Sequence, residues 1–210
     1  MRVISALRQA PEFVHGFVKD LRVRWALEEA GLDYAVQLVE AGQGIDSPYR
    51  SWQPFGQVPA YRDDTVSLFE SGAILHYLGC QSTVLMPEDA ASRARVTAWL
   101  FAAGTTVQPL VDRWNDYRGV LDETAYGELE RRLFARLESV QQALGTQAFL
   151  TGEFSVADLL MSAVLREVAS EGGLGAWPQL ERYHNSLEAR PAFRRALNAH
   201  LNDIRGGSDD

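Results

Sequence analysis

The segment Pro54-Phe-Gly-Gln-Val-Pro-Ala60 places a proline at the mouth of an apolar run, and this constrains the fold more than any other feature. Val58 to Tyr61, the acidic turn at Asp63-Asp64, and Thr65 to Phe69 read as a β-hairpin. Proline has no N–H to give to a strand ladder, so Pro59 cannot sit inside a central strand. Two readings fit. One is an edge strand that simply begins at proline. The other is a cis Val58-Pro59 bond, which costs only about 0.5–1 kcal/mol over trans in an X-Pro pair. In the cis form the N–H and C=O of Val58 turn outward. An extended peptide could then pair with them as an added strand.

The hairpin runs into Leu68-Phe-Glu-Ser-Gly-Ala-Ile74, a strand-to-helix junction. Ser71 can cap the helix. With the first N–H groups and the positive end of the helix dipole, it can also hold an anion. Glu70 beside it can accept an ammonium group. Together they would hold the two charged ends of an amino acid; plain capping is the competing reading.

Around this segment the first eighty residues alternate strand and helix. Val3 to Leu7 reads as a buried strand, followed by a polar, proline-containing stretch from Arg8 to His15. Val23, Ala26, Leu27 and Ala30 keep a helical period that Gly31 closes, and Tyr34 to Val39 reads as a second strand. A loop spans Gly42 to Pro48, and Glu70 to Leu78 reads as a helix ended by Gly79. The rest carries helical patterns only: Ser92 to Trp114, Leu129 to Leu144, about Ser155 to Glu167, Gln179 to Glu188, and Ala192 to Leu201. Gly206 to Asp210 reads as a frayed tail. Ser155 and Asp158 have the spacing of a capping box.

Bulk numbers narrow the function classes. A net charge of -8 argues against a general nucleic-acid binder. Cys80 is the one cysteine, so no internal disulfide and no Cys-x-x-Cys redox pair exist. No run approaches the roughly 18 apolar residues of a membrane helix, and Met1 to Pro11 lacks the apolar stretch of a secretory signal. A cytoplasmic location is the expectation. His76, His184 and His200 are scattered without metal-ligand spacing, so no metal is expected.

The pair Gly56-Gln-Val-Pro-Ala60 and Phe69-Glu-Ser-Gly-Ala-Ile74, separated by one hairpin, resembles the glutathione-binding segment of cytosolic glutathione transferases. Arg24 to Tyr34 resembles that family's first helix leading into its second strand. Phe154 to Asp158 resembles its capping box, and Arg190 to Leu197 its late helix. The resemblance implies an α/β thioredoxin-like N-terminal domain, residues 1–80, a linker at 81–91, and an all-α C-terminal domain, residues 92–210. It implies that Val58 makes backbone bonds to the cysteinyl part of glutathione, with Pro59 as the shaping cis-proline. It further places Glu70 and Ser71 at the γ-glutamyl end and Gln57 nearby. It implies glutathione as cosubstrate, a small electrophile as partner, and a homodimer with the first domain of one subunit against the helices of the other.

The family's usual sulfur-activating Tyr, Ser or Cys has no counterpart here. The position falls near Lys19, and no Tyr precedes Tyr34. Lys19 could stabilise a thiolate electrostatically, Ser5 lies near where a tyrosine sits in other classes, and His15 lies in the long loop after the first strand. Against each stands a plain reading: a solvated lysine, a satisfied strand hydroxyl, an exposed loop histidine. Backbone N–H groups at the helix start could serve instead of any side chain. Trp99, Trp114 and Tyr117 at helical spacing read as core before they read as a cosubstrate pocket. A non-catalytic binding or regulatory module on the same fold is the alternative to an enzyme.

Overall fold

The computed structural model describes residues 1–42 and 44–206; the tail expected to fray lies, from 207 on, outside the described residues. The strands are β1 (Arg2–Leu7), β2 (Tyr34–Val39), β3 (Ala60–Arg62) and β4 (Ser67–Phe69). The helices are α1 (Asp20–Ala30), α2 (Ser71–Gly79), α3 (Ala90–Phe101), α4 (Gln108–Asp116), α5 (Glu123–Leu144), α6 (Val156–Ser170), α7 (Pro178–Glu188) and α8 (Pro191–Gly206). Two compact units result: Met1–Leu85 with Ala189–Asp210, and Met86–Glu188.

The first unit is thioredoxin-like. Its sheet has the order β2-β1-β3-β4. β1 and β2 are parallel, in register from Arg2 opposite Tyr34 to Leu7 opposite Val39. The crossover between them is α1, closed by Gly31 in the left-handed conformation at φ 62°. β3 runs antiparallel to β1, and β4 antiparallel to β3, with Ala60 opposite Phe69. β3 starts at Ala60 rather than at Val58, because the Val58-Pro59 bond is cis and proline offers no ladder donor. Thr65 and Val66 belong to the turn instead of β4: both backbone N–H groups donate to Asp63 Oδ1, at 2.8 and 2.9 Å. Desolvation alone would raise the Asp63 carboxyl. Those two donors and the hydroxyls of Tyr61 and Tyr77 hold it at about 2.

α8 belongs to this unit, although the sequence reading placed all of 92–210 in the second domain. Its buried face carries Phe193, Ala196, His200 and Ile204. Phe193 meets Trp25 of α1 edge-on at 4.8 Å. Arg190 and Arg195 donate to Glu29 and Glu28 at 2.6 and 2.7 Å. Arg195 is therefore paired across to α1. Arg131 and Arg132 lie on an exposed helix face, both on Glu128.

The second unit is helical. The expected single helix from Ser92 to Trp114 is interrupted: residues 102–107 form a π turn, in which the Gln108 N–H donates to Ala103 O. Pro109 follows at once and cannot donate to the turn before it, which gives the wider turn a local reason. Trp114 is core, Trp99 is half-buried, and Tyr117 is exposed. α6 starts in the capping box expected of Ser155 and Asp158. His184 of α7 is buried with Nδ1 at 3.1 Å from Ser162 Oγ. Burial pulls its imidazole below the ordinary value, so the folded chain resists a proton that the unfolded chain accepts. Stability is therefore full above the unfolded value of about 6.5 and falls as pH drops below it. We expect the urea midpoint to fall between about pH 7.5 and about pH 5.5, and to fall less in His184→Gln; equal drops would remove His184 from the linkage.

Candidate functional site

The strand directions gather every site residue of the first unit at one end of its sheet. β1 ends there at Leu7, and α1 begins there at Asp20. β3, running the other way, begins there, and β4 ends there. The last ladder pair, Ala60 opposite Phe69, puts the Val58-Pro59 step and the Glu70-Ser71 junction at the same end of the hairpin. The carboxyl ends of parallel strands, where helices start, are where open α/β sheets place ligands.

The loop before β3 is held from below. Ser5, with no exposed surface, accepts the Ala60 N–H on Oγ at 2.7 Å and meets Tyr49 OH at 2.7 Å. Tyr49 donates to Gln57 O at 2.6 Å. Burial pushes the Tyr49 phenol up, which keeps that donor protonated. Trp52 Nε1 donates to Tyr61 O at 3.1 Å from the same short turn, residues 48–51 and beyond. This scaffold fixes the cis Val58-Pro59 step while Gln57 stays exposed and Val58 half-exposed.

Across the hairpin, Glu70 has φ 69° and ψ 115°, the one described non-glycine residue with positive φ. Such a backbone costs of the order of 1–3 kcal/mol and persists where the surroundings impose it, often at ligand sites. No side chain caps α2, whose first residue is Ser71. The helix start thus presents N–H groups and positive dipole beside the exposed Glu70 carboxylate, while Ser71 itself is buried.

The three sulfur-activating candidates fare differently. Ser5 is buried and its hydroxyl is taken up by the loop, so it positions rather than reacts. His15 is half-buried with Nε2 3.0 Å from Ala10 O. Lys19 is exposed at the N-cap of α1, and no side chain caps that helix either. Among the described residues, no group of three or more His, Cys, Asp or Glu side chains could hold a metal. No described helix is long and apolar enough to cross a membrane. Tyr49 was absent from the sequence reading, which saw 42–48 only as a loop. An aromatic residue directly after that polar stretch was the available signal.

Comparison with known proteins decides the family. A family model described as the glutathione S-transferase N-terminal domain matches residues 21–81. Glutathione S-transferase F11 of Arabidopsis thaliana is 31% identical over 161 residues, covering 69% of this chain and 75% of that protein. The chain belongs to the glutathione S-transferase family. Disulfide-bond oxidoreductase YfcG of Escherichia coli (strain K12) is 29% identical over 203 residues, 87% of this chain and 92% of that protein. A glutathione transferase family member from Pseudomonas fluorescens pf-5, solved with two glutathione bound, superposes with a TM-score of 0.80 at 24% identity. The match covers 93% of this chain and 92% of that one, and it establishes the shared fold. This transferase-family chain therefore has relatives named for conjugation and relatives named for disulfide chemistry.

Proposed function

We propose that this chain binds glutathione at the gathered sheet end and uses its thiolate, either to conjugate a small electrophile or to reduce a disulfide or peroxide. The observation that carries the reading is the cis Val58-Pro59 step just before β3 and the uncapped α2 start just after β4, at the end of the hairpin where Ala60 pairs with Phe69, with Glu70 held at positive φ. Val58 offers its backbone N–H and C=O to the cysteinyl residue as an added strand. Ser71 and the α2 N–H groups receive the γ-glutamyl carboxylate, and Glu70 receives its ammonium. Gln57 lies alongside.

The sulfur then lies toward the α1 start. A free thiol has a pKa of about 8.5, and the positive end of the α1 dipole favours the thiolate, with Lys19 adding positive charge. Attack on an electrophile forms the carbon–sulfur bond and expels the leaving group. In the reductive case the thiolate attacks a disulfide and expels one thiolate. A second glutathione then resolves the mixed disulfide, leaving glutathione disulfide and two reduced thiols.

Glutathione and a small electrophile or disulfide are thus the partners, and a cytoplasmic, thiol-rich setting suits the chemistry. A homodimer fits as well: Phe55 and Phe69 form an exposed edge-on pair at 5.9 Å. Sedimentation velocity separates dimer from monomer. The non-catalytic module is the second reading, favoured by the engagement of Ser5 and the lack of any hydroxyl or thiol candidate at the α1 start.

Calorimetric titration with glutathione, followed by turnover of an electrophile and disulfide panel, tests both. Binding with turnover supports the enzyme; binding alone supports the module; no binding removes the enzyme and every form of the module that uses glutathione. Glu70→Ala and Ser71→Ala should each weaken glutathione about tenfold, the scale of one charge-assisted hydrogen bond, with Tm nearly unchanged. An unchanged Kd in both variants would take these residues out of the site.

A further inference from the structure

His200 of α8 lies 180 positions from α1 in sequence, yet it is buried against the start of that helix. Its Nε2 lies 3.2 Å from the backbone N of Gly16, and its Nδ1 lies 3.1 Å from Asp20 Oδ2. A backbone N–H can only donate, so Nε2 must be the bare, accepting nitrogen. The ring proton of the neutral imidazole is then on Nδ1 and points at the carboxylate. Asp20 Oδ2 also accepts Arg24 Nε at 2.8 Å, and Arg24 Nη2 reaches Asp203 of α8 at 2.7 Å. Asp20, His200 and Arg24 have essentially no exposed surface.

Two consequences follow for the α1 start. Gly16 sits at φ 83°, a conformation that suits glycine, and its N–H is tied to α8. The tie fixes the loop between β1 and α1 a few residues before Lys19. In addition, Asp20 opens α1 with a negative charge, where an unpaired carboxylate would oppose a thiolate. Arg24 and the His200 N–H compensate it locally.

We propose that His200 is a positioning residue for the thiolate site: in one neutral tautomer it ties the Gly16 loop to α8 while binding Asp20, and so sets the geometry of the α1 start. This rests on the glutathione reading above. His200 does not touch the ligand.

Two isosteric variants separate the two bonds. In His200→Asn the amide can still donate to Asp20 but cannot reach Gly16. In His200→Gln the amide oxygen can reach Gly16. Hydrogen exchange of segment 12–19 in the ligand-free protein reads the tie itself. We expect roughly tenfold faster exchange in His200→Asn and near-wild-type exchange in His200→Gln, the scale of one hydrogen bond. The ultraviolet absorbance of bound glutathione thiolate, with the glutathione Kd, reads the site. We expect His200→Asn to lose about five- to tenfold in affinity, with less thiolate at a given pH, and His200→Gln to restore both to within about threefold. Equal exchange in the three proteins would overturn the tie. Faster exchange with unchanged Kd and thiolate absorbance would overturn the positioning role. A wild-type chain that binds no glutathione would overturn the parent reading and the positioning role with it, while the exchange data still report the tie.

Discussion

Asp158→Ala should cost about 3–5 kcal/mol of stability and lower Tm by about 10 °C or more. Four donors converge on this buried carboxylate. The Leu150 N–H and Tyr183 OH reach Oδ1 at 2.8 and 2.9 Å, and the Ser155 N–H and hydroxyl reach Oδ2 at 3.0 Å each. Burial pushes the carboxyl up, and these same donors pull it back. Truncation would leave at least two buried backbone N–H groups and a buried phenol without an acceptor, and would open the start of α6. Against a total stability of about 5–15 kcal/mol, that is a large share. Thermal and urea unfolding would check it. A loss below about 1 kcal/mol would mean that water replaces the carboxylate or that the cap is dispensable.

Arg24→Met should be nearly as costly, about 3–5 kcal/mol, for a different reason. It leaves the Asp20 carboxyl buried without its cation, with His200 as its remaining partner, and deprives Asp203 of its partner. The double variant Asp20→Leu with Arg24→Met should recover part of the loss, because replacing a whole buried pair costs less than stranding one charge. Urea unfolding of the wild type, the single variant and the double variant gives the comparison. A double variant less stable than Arg24→Met would show that Asp20 contributes mainly through His200 instead.

Local chemistry made much of this molecule readable before any coordinates. Tyr34 to Val39 is an apolar run broken only by Gln37 and ends where β2 does, and Gly31 closes α1 because left-handed φ favours glycine. The odd placement of Pro59 left a cis step and a proline-started edge strand both open, and the bond is cis, while Ser155 with Asp158 announced the α6 cap. What stayed hidden depends on distance along the chain. Nothing near His200 says that it faces Gly16 and Asp20, since helical periodicity marks a buried face without naming what covers it. The same blindness put α8 with the other helices, because chain order was the only guide. Glu70's positive φ was also invisible, for a glutamate carries no local preference for that conformation. The π turn escaped because one extra residue per turn barely disturbs an apolar period over so short a stretch.

The membership of α8 in the first unit has a consequence during synthesis. Trp25, Asp20 and Arg24 are covered by a helix that leaves the ribosome long after them. About 100 residues of the helical unit must be made in between, roughly 5–20 s at ordinary elongation rates. For that interval the thioredoxin-like unit exists only as an incomplete body, with an apolar and charged flank open to chaperones.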